Sequence, residues 1–111
     1  MSPPISLAVD GGVARLTLAR PDVHNAFDAG LIGALNAALD ALATDDSVRA
    51  LVLTGQGSTF SAGADLNWMR GMAKASEAEN LADSLELARL MRTLNFFPKP
   101  TIARVNGSAY G

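Results

Sequence analysis

The loop from Phe60 to Leu66 has the composition of a site where a ligand approaches the main chain closely. It follows a run of β-branched and leucine residues, Val48–Thr54, that is typical of a buried strand, and it leads into a predicted helix. Small side chains leave room beside the backbone, and the first N–H groups of a helix lack partners within it. These groups lie at the positive end of the helix dipole, so they can bind an oxygen that gains negative charge during a reaction. We nominate the amide of Ala64 as the donor, although a tight turn without a ligand explains the same composition.

Other residues with suitable chemistry lack the partners that this chemistry requires. Asp45 and Asp46 are adjacent carboxylates, but a pair without further oxygen ligands usually marks a helix end. Gly55-Gln56-Gly57 follows a strand, as in a dinucleotide fingerprint, yet Phe60 occupies the place of the third glycine. The chain contains no cysteine, which leaves no disulfide framework and no thiolate metal site. We therefore expect no metal site and no bound cofactor.

The segments before the loop predict an α/β arrangement. Ile5–Val9 and Val13–Leu18 alternate in polarity around a Gly-Gly turn, which predicts a β-hairpin. A helix follows, capped by Asp28 or Asn25 and ended near Asp45. Its apolar positions recur at helical spacing: Leu31, Ile32, Leu35, Ala38, Leu39 and Leu42. With the strand Val48–Thr54, the order β–β–α–β indicates an α/β fold with a crossover connection.

The segments after this strand predict a loop, two helices and a further strand. We interpret Gly55–Gly63 as one long loop. A short helix begins near Asp65, and Ser76 with Glu79 forms a capping box for a long helix. The predicted core stripe of that long helix is Leu81, Leu85, Ala88, Met91 and Leu94. Pro98 and Pro100 stop it, Thr101–Val105 is the next strand, and Asn106–Gly111 is a loop.

Composition limits the class of protein. Residues 1–111 are one domain or a piece of one, and 49% of them are hydrophobic. The net charge of −2 and the scattered Lys and Arg residues argue against a nucleic-acid partner. Without a secretory-type leader, or an apolar run near the roughly 20 residues needed to span a bilayer, we expect a cytoplasmic protein that does not bind membranes.

Three segments in register resemble the enoyl-CoA hydratase/isomerase family, also called the crotonase family. They are Arg20-Pro21 with Asn25-Ala26-Phe27, then Phe60 to Leu66, then Pro98 to Ala103 continuing through Val105-Asn106-Gly107 to Ala109-Tyr110-Gly111. The resemblance implies a crotonase-like α/β fold, built as a ββα spiral. It also implies that residues 1–111 are the N-terminal part of such a domain, incomplete at the C-terminal end.

The resemblance also implies a site for an acyl-CoA thioester. Two backbone N–H groups would hold the thioester carbonyl oxygen, one from Ala64 and one from the glycine expected directly after Gly111. The glutamates that act as acid and base would lie further on, so Glu77, Glu79 and Glu86 are interpreted as solvated surface. Coenzyme A is then part of the substrate, and the stretch that would grip it contains His24, Ala26, Ala62, Asp65 and Leu66. Lys99 or exposed arginines would contact its phosphates.

Two side-chain roles remain open. His24 is the only histidine, and we interpret it as a surface or coenzyme-lining residue rather than a catalyst. Trp68 and Met69 either line an acyl pocket or pack in the core.

Three functions are compatible with this resemblance. The first is a hydratase that adds water to an α,β-unsaturated thioester; Ala64 to Met69 look closest to methylglutaconyl-type enzymes. The second is an enoyl-CoA isomerase, and the third a truncated, non-catalytic homologue that binds acyl-CoA. The family forms trimers and hexamers, which we expect of the full-length protein. We expect residues 1–111 alone to be inactive, because only one oxyanion donor lies within them.

Overall fold

The computed structural model describes residues 2–111 and shows an α/β fold. The strands are β1 (Ile5–Asp10), β2 (Val13–Leu18), β3 (Ala50–Gly55), β4 (Thr59–Ser61), β5 (Thr101–Arg104) and β6 (Ser108–Ala109). The helices are α1 (Ala29–Ala43), α2 (Leu66–Lys74) and α3 (Glu77–Asn95), and a 3-10 turn covers Pro21–Val23. A four-stranded sheet has the order β1-β2-β3-β5, and β4 and β6 form a second, two-stranded sheet.

The predicted hairpin and crossover are confirmed. β1 and β2 pair antiparallel from Ile5 opposite Leu18 to Asp10 opposite Val13, around two glycines with positive φ. β2, β3 and β5 are parallel, so α1 carries the chain across the sheet between β2 and β3. The ordered strand β3 begins at Ala50, two residues later than its hydrophobic run predicts.

The main core lies between this sheet and α1. The fully buried side chains include Leu16, Leu18 and Leu51 from the sheet and Leu31 and Leu39 from α1. α1 begins after Asp28, whose Oδ1 accepts a hydrogen bond from the N–H of Leu31 at 2.8 Å. Asp28 is therefore the cap, and Asn25, the alternative, has another role described below.

The predicted core stripe of α3 is largely wrong. Ser76 is confirmed as the cap, since its Oγ accepts from the N–H of Glu79 at 3.1 Å, but the Glu79 carboxylate accepts from Ser76 Oγ and not from the Ser76 N–H as a full capping box requires. However, Leu81 and Leu85 are 60% and 59% exposed, and Ala88 and Met91 are also exposed rather than buried in the core. The helix packs on α1 through Leu87, Leu90 and Leu94, and of these only Leu94 belongs to the predicted stripe. Because α3 carries apolar residues on more than one face, spacing alone could not identify the face that meets α1.

Part of the segment interpreted as a long loop is a strand. β4 pairs in parallel with β6, and the N–H of Tyr110 donates to the carbonyl of Ser61 at 3.0 Å. Both strands are very short and lie about 50 residues apart in the chain, so no local pattern reveals them. This pairing brings the C-terminal segment beside the loop before α2.

Two structural facts concern the expected phosphate contact of Lys99 and the expectation that the protein does not bind membranes. Lys99 Nζ donates to the carbonyls of Leu42 and Asp45, both at 2.6 Å. These groups lie at and just beyond the end of α1, so Lys99 adds hydrogen bonds to the carbonyls at this helix end, and its contact with a phosphate stays a prediction. Within residues 2–111, no helix combines the length and the apolar character needed to cross a bilayer.

Candidate active site

A parallel bridge between Phe27 and Ala64 orients the small-residue loop. The N–H of Phe27 donates to the carbonyl of Gly63 at 2.7 Å, and the N–H of Asp65 donates to the carbonyl of Phe27 at 2.8 Å. In such a bridge the N–H and C=O of the middle residue face away from the partner. Within residues 2–111 the amide of Ala64 makes no hydrogen bond. The donor nominated from the sequence is therefore not occupied by the described part of the chain.

Gly63 permits close contact between this loop and the C-terminal segment. Its φ is +85°, and a Cβ added there would lie 3.2 Å from the carbonyl oxygens of both Tyr110 and Gly111. A side chain at this position would strain the backbone and push the two segments apart. The structure thus places Gly111 beside the Ala64 loop, as the resemblance implies.

Asn25 is the polar centre that holds the site together. It is fully buried with a left-handed φ of 56°, and its Oδ1 accepts from the N–H of Arg20 at 2.8 Å. Its Nδ2 donates to the carbonyls of Gln56 and Thr59, each at 2.9 Å, and its own carbonyl accepts from Ser61 Oγ at 3.0 Å. One side chain thereby ties the loop before α1 to the segment that contains β4.

The guanidinium of Arg20 links the beginnings of two helices. Its Nη2 lies 3.1 Å from Asp28 Oδ2 and 3.3 Å from Asp65 Oδ2. These two aspartates cap α1 and α2, since Asp65 Oδ1 also accepts from the N–H of Trp68 at 3.0 Å. Arg20 Nη1 donates to the carbonyl of Ala26. The side chain of Arg20 therefore fixes Asp65, and with it the start of α2, relative to α1.

The carboxylate of Asp65 caps α2 and pairs with Arg20 within the fold. The N–H of Trp68 lowers the pKa of Asp65 most, and the N–H of Asn67 and the guanidinium of Arg20 lower it further against the opposing effect of desolvation. A lowered folded-state pKa stabilises the fold above the ordinary pKa of an aspartate, about 3.9, and this stabilisation is lost as pH falls through the lowered value.

We expect Asp65→Asn to destabilise the protein by about 1 kcal/mol at pH 7, because asparagine keeps the cap but loses the ion pair. The difference from the unsubstituted protein should shrink at pH values well below about 4, where the carboxylate is protonated. Urea unfolding at pH 7 and near pH 3 measures both values, with the exposed Asp46→Asn as a control. An equal effect of Asp65→Asn at both pH values would contradict this account.

A cavity of about 470 Å³ brings together most of the residues predicted to contact coenzyme A. Ala26, Ala62, Asp65 and Leu66 line it, together with Ala64 and the exposed Arg70. His24 is not among the lining residues; its Nδ1 lies 3.2 Å from Thr59 Oγ1 and its carbonyl accepts from the N–H of Ala62.

A second cavity, of about 340 Å³, also borders the loop. Gly63, Ala64 and Gly111 line it, so Ala64 borders both cavities. Trp68 also lines this cavity and packs against the core, and its contact with an acyl group stays a prediction. Met69 is exposed and lines neither cavity.

Three residues of the site received no individual role in it from the sequence. Arg20 stood out only as a member of a matching segment, and Asn25 only as a member of it and a possible helix cap. Their partners Asp65 and Thr59 come from distant positions. Arg70 had a weak signal, as a cation one helical turn after the small-residue loop. Side-chain chemistry could identify these residues, but only the fold could pair them.

Comparison with known proteins identifies the family. Residues 8–111 match the family described as Enoyl-CoA hydratase/isomerase. The chain is 43% identical over 99 residues to a putative enoyl-CoA hydratase of Thermus thermophilus, covering 89% of this chain and 39% of that protein. It is 41% identical over 105 residues to the 1,2-epoxyphenylacetyl-CoA isomerase of Escherichia coli, covering 93% of this chain and 40% of the relative.

A solved structure supports the same assignment. A crystal structure of an enoyl-CoA hydratase from Shewanella pealeana superposes with a TM-score of 0.94 and 48% identity, covering 97% of this chain and 41% of that one. The chain belongs to the enoyl-CoA hydratase/isomerase family and has the crotonase-type α/β fold of its structural relatives. It spans about 40% of the length of the relatives that it matches.

Proposed function

We propose that this chain forms the oxyanion side of an enoyl-CoA hydratase that acts on α,β-unsaturated acyl-CoA thioesters. The observation that carries the proposal is the position of Ala64. Its amide makes no hydrogen bond within residues 2–111, and the residue borders two cavities. A thioester lying across this junction would direct its coenzyme A arm into one cavity and its acyl group into the other. Its carbonyl oxygen would then lie at the Ala64 amide.

The chemistry follows from this placement. When water adds to the β-carbon of an enoyl thioester, negative charge develops on the carbonyl oxygen as an enolate. A hydrogen bond from Ala64, next to the positive end of α2, stabilises that charge more than it stabilises the neutral carbonyl. Gly111 lies beside the loop, so a donor directly following it would approach the same oxygen. The acid and base that move protons to and from water are not assigned to any residue within 2–111.

Arg70 is our candidate for the phosphate contact. Of the residues within 2–111 that line the larger cavity, it is the only cation, and its Nη1 lies 3.2 Å from Asn67 Oδ1. We expect Arg70→Gln to weaken binding of coenzyme A about three- to tenfold, because it removes one charge-assisted contact at an exposed site. Titration calorimetry measures the affinity. Arg15→Gln is the matched control, since Arg15 is exposed on β2 and lines neither cavity. Equal losses for both variants would rule out a specific contact.

An isomerase is the second candidate, because one of the matched relatives is named as a CoA-ester isomerase. Two incubations of the active protein separate the possibilities. Crotonyl-CoA followed by mass spectrometry tests hydration, and a 3-enoyl-CoA followed by chromatographic separation of the 2-enoyl and 3-enoyl thioesters tests isomerisation. A hydratase gives a product heavier by one water. An isomerase converts a 3-enoyl thioester to its 2-enoyl isomer without a change in mass. Binding without either product would indicate a non-catalytic acyl-CoA-binding protein.

A further inference from the structure

Most of the aromatic residues of the chain line the smaller cavity. The sequence has four phenylalanines, one tryptophan and one tyrosine. Four of these six residues line the cavity that borders Ala64: Phe27, Phe60, Trp68 and Tyr110. They come from four separate places, namely the segment before α1, strand β4, helix α2 and the segment after β6. The fold therefore gathers side chains that are far apart in sequence around one space.

The rest of the lining is also apolar. Leu87 and Met91 of α3 complete the wall, and no charged residue within 2–111 contributes to it. The hydroxyl of Ser61 is already engaged, since it donates to the carbonyl of Asn25 and accepts from the N–H of Gly63. The described wall thus offers no cation to the distal carboxylate of a methylglutaconyl-type acyl group.

We infer that the acyl group of the substrate carries an aromatic ring close to the thioester. This inference rests on the proposed function and specifies its substrate class. A volume of about 340 Å³ is sufficient for one aromatic ring. Aromatic walls favour another aromatic ring beyond simple burial of area, through stacked or edge-to-face contacts. The thioether of Met91 also interacts favourably with a ring.

The test compares thioesters that the enzyme cannot hydrate. Benzoyl-CoA and cyclohexanecarbonyl-CoA have the same number of ring carbons and differ in aromaticity, and octanoyl-CoA represents a long alkyl chain. Dissociation constants for the three are measured by titration calorimetry. We expect benzoyl-CoA to bind about two- to tenfold more tightly than cyclohexanecarbonyl-CoA, the range for one or two favourable ring contacts. Octanoyl-CoA should bind more weakly than benzoyl-CoA.

Two variants connect that preference to the cavity. Tyr110→Leu changes an exposed rim residue, and Phe60→Leu changes a half-buried wall residue, with circular dichroism to verify folding. Each should lower the ratio of benzoyl to cyclohexanecarbonyl affinity by a few-fold. Phe96→Leu is the matched control, because Phe96 is 71% exposed and does not line the cavity. The control should leave the ratio unchanged.

The outcomes separate the two proposals. Equal binding of the two ring thioesters, tighter binding of octanoyl-CoA, or an equal change in the ratio on Phe96→Leu would overturn the aromatic assignment while leaving the proposed function in place. If none of the thioesters binds more tightly than coenzyme A alone, the acyl site itself is refuted, and the proposed function with it.

Discussion

Removal of the N–H of Ala64 is expected to lower the rate of crotonyl-CoA hydration by the active protein about 10²- to 10³-fold. This is the usual effect of removing one oxyanion-hole donor. Ala64→Pro deletes the hydrogen, and the loss should appear mainly in kcat, because the bond strengthens as charge develops on the oxygen. Steady-state kinetics measures the effect. The N–H of Ala64 makes no hydrogen bond within residues 2–111, so its removal breaks no contact that holds the fold, and circular dichroism verifies folding.

A second substitution guards against distortion by the proline ring. Replacing Ala64 with lactic acid, its hydroxy-acid counterpart, changes only the backbone N–H to an ester oxygen. It should reproduce the loss in kcat. Ala64→Gly keeps the N–H and is the matched control, with a much smaller expected effect. Full activity in a correctly folded Ala64→Pro or ester variant would show that Ala64 is not the donor.

Asn25→Ala is expected to destabilise the protein by about 3–5 kcal/mol and to abolish a well-formed site. The substitution removes the side-chain partner of the carbonyls of Gln56 and Thr59 and of the N–H of Arg20, in bonds that are partly buried. Each unsatisfied buried group costs about 1–3 kcal/mol. Alanine also tolerates the left-handed φ of 56° less well than asparagine does. Urea unfolding measures the change in the free energy of unfolding.

The neighbouring residue provides the control. His24 also has a left-handed φ, of 53°, but its side chain is exposed and makes a single contact, to Thr59. His24→Ala should therefore cost about 1 kcal/mol or less. If the two variants were equally destabilised, the strained backbone and not the hydrogen-bond network of Asn25 would be responsible.

Much of the fold could be predicted because its signals are local. The Gly-Gly turn marks the hairpin, and Asp28 and Ser76 precede the helices that they cap. The alternation of β1 and β2 and the spacing of α1 depend only on neighbouring residues. The nomination of Ala64 rested on equally local features, which were small residues followed by a helix start. The amide of Ala64 makes no hydrogen bond within residues 2–111, and its role as a donor stays a prediction.

The remaining features depended on partners that are distant in the chain. Strands β4 and β6 are defined only by each other, and α3 buries the face that meets α1 rather than the stripe that its spacing favoured. The same holds for individual side chains. Lys99 and Asn25 make hydrogen bonds to segments 30 to 60 residues away, and Trp68 contacts both the core and a cavity that distant segments form. The sequence by itself thus determined which residues begin, end and cap the elements, and where a thioester oxygen is expected to bind. Tertiary structure alone decided which polar groups became buried together and which aromatic side chains surround one cavity, because both depend on packing and not on spacing along the chain.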